Sequence, residues 1–424
     1  MPGFSSVWPH IRGAPLTIFL VCLASWTLTN LDQSLFGYAI PGFRTEFDIG
    51  LEVIGWILSV SFAVGAVAAV AIGVLADRIG RRIMLIVTLG GSALLVGVQA
   101  FAPGIWTLAF LRLLSFGMSN GVNTIVTTYT SEAAPARYRG LMTGFLAIGY
   151  PAGWFIASLG AAPLMAAYGW RATFLLAFIV VPLVALLFRW LPESKKFESI
   201  KAAAKPATPW FTQLRALFVP GLRRRTILCL LVTFFFGGAY ASTAFYFPTF
   251  YTEVRDYSEA DATLIVGLSY GLGLVGYIAA AVVGEFVMTR RNTLIVWYLV
   301  GSGALLGLIW LPNSYAADIF WFGFMATFSY GSNAVLGTWI TELFPTEVRA
   351  TGGAFAGTGG LYLGFSVFPV VTSYVVAAVG WQWAFTLVAV PLGVLAALVM
   401  LTTENFKSGI DLDEAAGTLP PAAP

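Results

Sequence analysis

Charge is scarce in this chain: of 424 residues only 10% are Asp, Glu, Lys or Arg, against 58% that are hydrophobic. A soluble domain with so few charges cannot keep its surface in water. Histidine and cysteine are scarcer still. The single histidine, His10, stands near the N-terminus, and the two cysteines, Cys22 and Cys229, both lie inside apolar runs. That rules out a Ser/His/Asp set and a metal cluster, and leaves the cysteines as small packing residues. No phosphate-binding glycine loop is present. The chain is therefore read as no enzyme, with no cofactor and no metal. A formal net charge of only +3 gives no case for nucleic acid as a partner.

What the chain has in abundance is apolar length. Mean hydropathy is +0.83, and 34 Phe, 14 Trp and 16 Tyr supply rings of the kind that sit at membrane interfaces. A membrane-crossing helix needs about 20 mostly apolar residues. Twelve stretches qualify: 16–40, 52–76, 83–102, 105–131, 138–166, 172–190, 224–250, 260–287, 292–311, 315–341, 350–378 and 383–402. The N-terminal residues Met1 to Pro15, with three prolines, run straight into the first span, so no cleaved signal peptide is expected. The one long polar interruption, 191–223, divides an N-terminal bundle of six spans (1–190) from a C-terminal bundle of six (224–405), followed by a tail, 406–424. The expected fold is an all-α membrane protein of twelve transmembrane helices in two pseudo-symmetric six-helix bundles. Of the 23 Lys and Arg, 19 fall on the side shared by the termini, three (Arg44, Arg171, Arg255) on the other, and Arg112 within a span. Basic loops stay in the cytoplasm, so both termini are expected there.

The halves repeat one another. Ser131-Glu132-Ala133-Ala134-Pro135-Ala136-Arg137-Tyr138-Arg139 matches Thr341-Glu342-Leu343-Phe344-Pro345-Thr346-Glu347-Val348-Arg349 at a shift of 210, which also carries Gly121 onto Gly331 and Asn123 onto Asn333. A shift of 211 carries Gly169-Trp170 onto Gly380-Trp381, and one of 208 carries Asp77 onto Glu285 and Arg82 onto Arg290. Duplication followed by small insertions leaves such a drift.

Gly73-Val74-Leu75-Ala76-Asp77-Arg78-Ile79-Gly80-Arg81-Arg82, between the second and third spans, resembles the loop motif of the major facilitator transporters. The Glu-x-x-Pro-x-x-x-Arg sequences after spans 4 and 10 resemble a second feature of that family. With the span count, the resemblance covers about residues 16–405. It implies alternating access, in which two bundles rock about a site near the membrane midplane, and residence in the cell (inner) membrane as a functional monomer. It also implies a cytoplasmic gate: Asp77, Arg78 and Arg81 with Glu132 and Arg139 in the first half, and Glu285, Arg290 and Arg291 with Glu342 and Arg349 in the second. Within the family, Leu191-Pro192-Glu193-Ser194-Lys195 and Thr403-Glu404-Asn405-Phe406-Lys407 resemble elements of sugar porters, although the second lacks its Pro and the Gln-Leu-Ser of span 7 is missing. The acid in span 1, Phe110-Leu111-Arg112 and Glu342-Leu343-Phe344-Pro345-Thr346-Glu347-Val348-Arg349 look more like metabolite and aromatic-acid proton symporters, sialate carriers included. Those usually carry two acids in span 1, where this chain has Asn30 and Asp32. Gly149-Tyr150-Pro151-Ala152-Gly153 bears a faint resemblance to a drug-antiporter motif.

Two charges stand inside spans. Asp32 is midway along the first, and a carboxylate there costs about 2.5 to 3.5 kcal/mol on insertion scales, so it must face a cavity or a partner. It is the candidate proton-coupling residue; a structural hydrogen bond is the alternative. Arg112 keeps its charge and can hold a carboxylate by two hydrogen bonds. It shares a helix face with Phe116, Asn120 and Asn123. It is the candidate anion-binding residue; the alternative is a structural arginine paired with Asp32 or with backbone carbonyls. By analogy, other cavity candidates are Gln33, Tyr38, Asn123, Tyr150, Trp154, Tyr240, Tyr246, Tyr270, Tyr330, Asn333 and Tyr362. The expected function is proton-coupled symport of a small organic anion (aromatic acid, sugar acid or other carboxylate), with protons, substrate and the lipid bilayer as partners. A proton-coupled sugar porter and a drug/proton antiporter are the alternatives, and a fixed cation favours anions over cationic drugs.

Overall fold

The computed structural model describes residues 13–135, 139–189, 210–312, 314–345 and 348–406. All regular structure among them is helical. The Pro-Glu-Ser element, His10, Glu347 and Lys407 lie outside the described residues, as do most of 191–223 and the tail after Phe406. Of Arg139 only the backbone is described.

Ten helices are long and apolar enough to cross a membrane. The other two expected spans have physical reasons for falling short. Span 4 forms one continuous helix, α4 (Ile105–Ala133), but its interior carries Arg112 and a run of Ser, Asn and Thr. Span 10 is broken into α14 (Tyr315–Met325), a π-helical turn at Ala326–Tyr330, and α15 (Asn333–Glu342).

Contacts divide the chain into two compact units, and the division follows packing rather than chain order. The first comprises the chain up to Lys205 together with Phe245–Gly271; the second comprises Pro206–Ala244 and Leu272 onward. In the first unit, α1 (Ala14–Phe47) starts with Pro15 in its first turn, where a missing N–H costs nothing, and is followed by α2 (Leu51–Ile79). Gly80, at φ 115°, ends α2 and at once opens α3 (Arg81–Val98), a conformation closed to side-chain-bearing residues. That accounts for the glycine of the loop motif. Span 5 forms α5 (Arg139–Leu146) and α6 (Gly149–Tyr168), and span 6 forms α7 (Trp170–Phe174) and α8 (Ala177–Phe188).

The second unit opens with α9 (Trp210–Ala216) and α10 (Pro220–Ala241). Span 7 does not continue to 250. It turns at 242–246 and resumes as α11 (Phe247–Val254), which belongs to the first unit. Backbone inside a membrane must be satisfied internally, and here Ser242, Thr243 and Ala244 donate their N–H groups back to Gly238 and Tyr240. Then come α12 (Glu259–Phe286), α13 (Arg290–Trp310), the broken span 10, α16 (Arg349–Gly352), a π-helical turn at Gly353–Thr358 and α17 (Gly359–Val379). Span 12 forms α18 (Trp381–Ala384), a third π-helical turn at Phe385–Ala389, and α19 (Val390–Leu401).

The repeat is visible in the packing. Gly149 and Gly153 of α6 lie against the backbone of α1 at Thr27, and Gly360 and Gly364 of α17 lie against α10 at Leu230 and Phe234. Each pair is spaced Gly-x-x-x-Gly, which lets two membrane helices approach backbone to backbone. Gly169 and Gly380 share a positive φ, 77° and 81°, and each introduces a buried Trp. Bulky apolar side chains such as Val67, Val70 and Trp106 point outward while Asp32, Arg112 and Gln99 are buried, the inverse of a water-soluble protein.

Candidate substrate and proton site

Asp32, near the centre of α1, and Arg112, two turns into α4, are both 0% exposed. They do not pair: both carboxylate oxygens of Asp32 lack a hydrogen-bond partner, and Arg112 is held elsewhere. The Asp32–Arg112 pair allowed by the sequence is thus not formed. Gln33 takes that place. One residue on from Asp32, it is turned about 100° around α1 and accepts from Arg112 Nη1 at 2.5 Å. Gln33 Nε2 donates to Ser119 Oγ at 2.5 Å, and Ser119 shares a 2.6 Å hydrogen bond with Ser92 of α3. Gln99 Nε2 donates to Ser115 Oγ at 3.2 Å, and that hydroxyl donates to the Arg112 carbonyl at 3.1 Å.

Rings surround the guanidinium. The centroids of Phe36, Phe116 and Phe245 lie 4.4, 4.7 and 5.7 Å from its central carbon, close enough for cation–π attraction. Phe245 comes from the turn between α10 and α11, so the break in span 7 delivers this wall of the site. Arg112 Nε and Nη2 have no partner. These two N–H groups lie on one edge of the planar guanidinium and point the same way, the arrangement a carboxylate fills with two parallel hydrogen bonds.

The Phe245 ring also borders an aromatic cluster. Tyr150 and Trp154 are one helical turn apart on α6. Trp154 stacks on Tyr270 at 4.8 Å and 26°, and meets Phe245 and Tyr38 nearly edge-on at 5.5 and 5.4 Å. Gly37 leaves the space in which Trp154 and Phe245 approach α1. The Tyr38 hydroxyl donates to the Trp154 carbonyl at 2.8 Å. Tyr150 lies 6.1 Å from Tyr270. Asn123, half-buried, accepts from Thr127 at 3.4 Å.

The second unit gathers its own candidates separately. Tyr240 packs on Tyr330 at 4.8 Å and on Phe365 at 5.6 Å, Tyr362 on Phe365 at 5.7 Å, and Asn333 Nδ2 donates to the Tyr330 carbonyl at 3.0 Å. Tyr246, buried in the turn after α10, belongs to the first unit and not to this one. Among the described residues this unit buries no Lys or Arg, but it buries an acid that span reading missed: Asp318, in the first turn of α14. Its place at a helix end gave no isolated charge in mid-span to detect.

The gate residues form two matching clusters. Arg81, with a side chain only 6% exposed, pairs with Asp77 at 3.2 Å and with Glu132. Arg290 pairs with Glu285 at 2.5 Å and with Glu342. Arg290 is therefore the counterpart of Arg81, not of Arg82, and an extra residue between the acid and the arginine explains the slip in register. Arg349 donates from Nε to the Phe344 carbonyl at 3.2 Å, Arg291 donates to the Thr403 carbonyl at 2.8 Å, and Arg78 is exposed. The Arg139 side chain lies outside the described residues.

Two membrane-embedded bundles of repeated spans, a buried charged centre and paired charged loop clusters define a polytopic transporter. The Major Facilitator Superfamily model matches residues 17–361, and the chain belongs to that family. It is a membrane transporter and not an enzyme. It is 26% identical to the niacin transporter NiaP of Acinetobacter baylyi over 92% of this chain and 94% of the relative. It is 30% identical to the 3-(3-hydroxy-phenyl)propionate transporter of Escherichia coli over 80% of this chain and 81% of the relative. The fold matches a crystal structure of a D-xylose-proton symporter with a TM-score of 0.72 at 17% identity, covering 92% of this chain and 98% of that one.

Proposed function

We propose that the protein is a proton-coupled symporter of a small organic anion, with an aromatic or other planar carboxylic acid as the fitting cargo. The observation that carries this reading is the open Nε–Nη2 edge of Arg112, buried and lined by phenyl rings. A carboxylate satisfies both donors at once. A neutral sugar brings no charge to offset the guanidinium, and a cationic drug is repelled by it. Niacin and 3-(3-hydroxyphenyl)propionate, named for two relatives, are both aromatic carboxylic acids, which supports the choice.

Coupling follows from electrostatics. Leaving one unpaired charge in a low-dielectric interior costs several kcal/mol, on the order given for partly relaxed buried ions. A substrate anion neutralises Arg112, and a proton neutralises Asp32. With both bound, no charge is left over. With one bound, a lone charge opposes reorientation. In the empty carrier the deprotonated acid and the guanidinium leave no net charge between them, although they do not pair. Asp32 is thus the proton-coupling residue and Arg112 the anion-binding one. Gln33 positions Arg112. Tyr38, Asn123, Tyr150 and Tyr270 supply the remaining polar and aromatic surface of the first unit, and Tyr240, Tyr330, Asn333 and Tyr362 are the substrate-binding residues of the second. Asp77, Arg81, Glu132, Glu285, Arg290 and Glu342, with Arg78, Arg139 and Arg349, act as cytoplasmic gate clusters while the two six-span halves rock in alternating access. Both termini lie in the cytoplasm, the membrane is the inner one, and the working unit is the monomer.

Proteoliposomes with an imposed inward proton gradient test the proposal. Concentrative uptake of 4-hydroxybenzoate or nicotinate is expected. Gradient-driven movement of xylose or of a lipophilic cation, without carboxylate uptake, would overturn it.

A further inference from the structure

Arg112 is not the one open donor in this part of the molecule. Trp154 Nε1 also lacks a hydrogen-bond partner, on a side chain that is fully buried. Buried polar groups are satisfied in the great majority of cases, and an orphan asks for an explanation. The indole is not placed by chance. Tyr270 stacks on its face, Tyr38 and Phe245 close on it edge-on, and the end of its benzo ring faces the notch at Gly37. Four contacts hold the ring in one orientation, so the N–H is a fixed donor rather than a wandering one. Phe245 touches both centres: one ring lies 5.7 Å from the guanidinium carbon and 5.5 Å from the indole. Tyr150 also packs on Trp154, at 6.3 Å. The two side chains with unsatisfied donors therefore both pack against a single phenyl ring, in an aromatic-walled setting.

We propose that Trp154 Nε1 is a specificity-determining donor that reads a second acceptor on the cargo, about one ring away from the carboxylate held by Arg112. The cargo class is then narrower than "organic anion". It is a planar acid with a ring nitrogen, a phenolic oxygen or a second carboxylate at its far end. A bare aromatic acid leaves the indole N–H unpaired in the loaded site, and a site built to hydrogen-bond a group discriminates against the analogue lacking it. Tyr270 and Phe245 supply the faces against which such a flat body lies. This inference rests on the reading of Arg112 as the anion site.

The experiment is calorimetric titration of the purified protein with benzoate, 4-hydroxybenzoate and isonicotinate, on wild type, Trp154→Phe and Arg112→Lys. Phe keeps a ring in the stack and removes the donor. Wild type is expected to bind at least one acceptor-bearing acid about ten-fold more tightly than benzoate, the size of one well-placed hydrogen bond. In Trp154→Phe that ratio is expected to fall towards one, whatever happens to affinity as a whole. Because the readout is a ratio within one preparation, general loosening of the site does not mimic it. Melting temperature identifies a variant that fails to fold, and in that case Trp154→Tyr, whose hydroxyl sits elsewhere on a similar ring, replaces it with the same expected loss of the ratio. An unchanged ratio in the folded variant overturns the role of Trp154. So does a wild type that binds benzoate as well as the other acids. If Arg112→Lys weakens all three acids while the Trp154 ratio does not move, the inference fails and the anion site stands. If no acid binds wild type, the anion reading itself has failed.

Discussion

The two units descend from one repeat and have kept different things. Both retain the Gly-x-x-x-Gly contact, at Gly149 and Gly153 in one and Gly360 and Gly364 in the other, and both retain an arginine bridging two acids, Arg81 and Arg290. These contacts hold helices together and fasten loops, and either copy needs them. The centre is where they part. Matching the Thr27 carbonyl under Gly153 with the Phe234 carbonyl under Gly364 gives a shift of 207, which sets Ala239 and Tyr240 opposite Asp32 and Gln33. The shift of 210 sets Phe322 opposite Arg112. One copy buries an acid, an amide and a guanidinium where the other has a half-buried methyl group and two buried rings. The second unit instead holds all three π-helical turns found among the described residues, features that recur near functional sites. Duplication kept the scaffold and left one copy to carry the charge.

Five substitutions probe that contrast, beginning with the largest effect. Asp32→Asn is expected to abolish uphill uptake in proteoliposomes under a proton gradient, because the variant has no group left to couple. Accumulation at the wild-type level would mean that the charge of the first unit is not the coupling charge. Next is Gln33→Leu, which leaves Arg112 Nη1 without its acceptor and frees the guanidinium to turn. A loss of about ten-fold in carboxylate affinity is expected. Tyr240→Phe, at the equivalent place, keeps its ring contacts and should cost less than about three-fold. Equal losses would erase the asymmetry between the units. The smallest effects belong to the gate clusters. Asp77 and Glu285 are both well exposed, and exposed pairs are worth about 0.2 to 1 kcal/mol. Asp77→Asn and Glu285→Gln are therefore expected to slow initial uptake by a few-fold, with calorimetric affinity nearly unmoved. A loss of affinity without a loss of rate in either variant contradicts a gating role.

The extent of what could be read from sequence divides along physical lines. Span positions, the duplicated loops, Asp32 and Arg112 were legible because each is a departure from apolar composition within a window of the chain. Gln33 was legible as a polar residue but not as the partner of Arg112, which lies 79 residues away. Ser92, Ser115 and Ser119 gave no signal, since serine bonds its own helix backbone as readily as a neighbour. The break at 242–246 was hidden for a different reason. Ser242-Thr243-Ala244-Phe245-Tyr246 is apolar enough to continue a span, and hydropathy does not distinguish a helix from a buried turn. Phe245 was missed with it, although it links the guanidinium to the indole. The register slip at Arg82 came from matching identical residues, where the structure matches the residue that reaches two acids.

The central claim is that Arg112 binds the cargo's carboxylate through the edge that Gln33 leaves open. Calorimetry and thermal melting of one purified Arg112→Lys preparation test it most directly. An ammonium is a point charge that does not offer two parallel donors. Losing a hydrogen bond to a charged group costs about 1.5 to 3 kcal/mol, roughly ten- to a hundred-fold in affinity. The account predicts that loss for 4-hydroxybenzoate and nicotinate in a variant that still melts cooperatively. Wild-type affinity in a well-folded Arg112→Lys protein would contradict it.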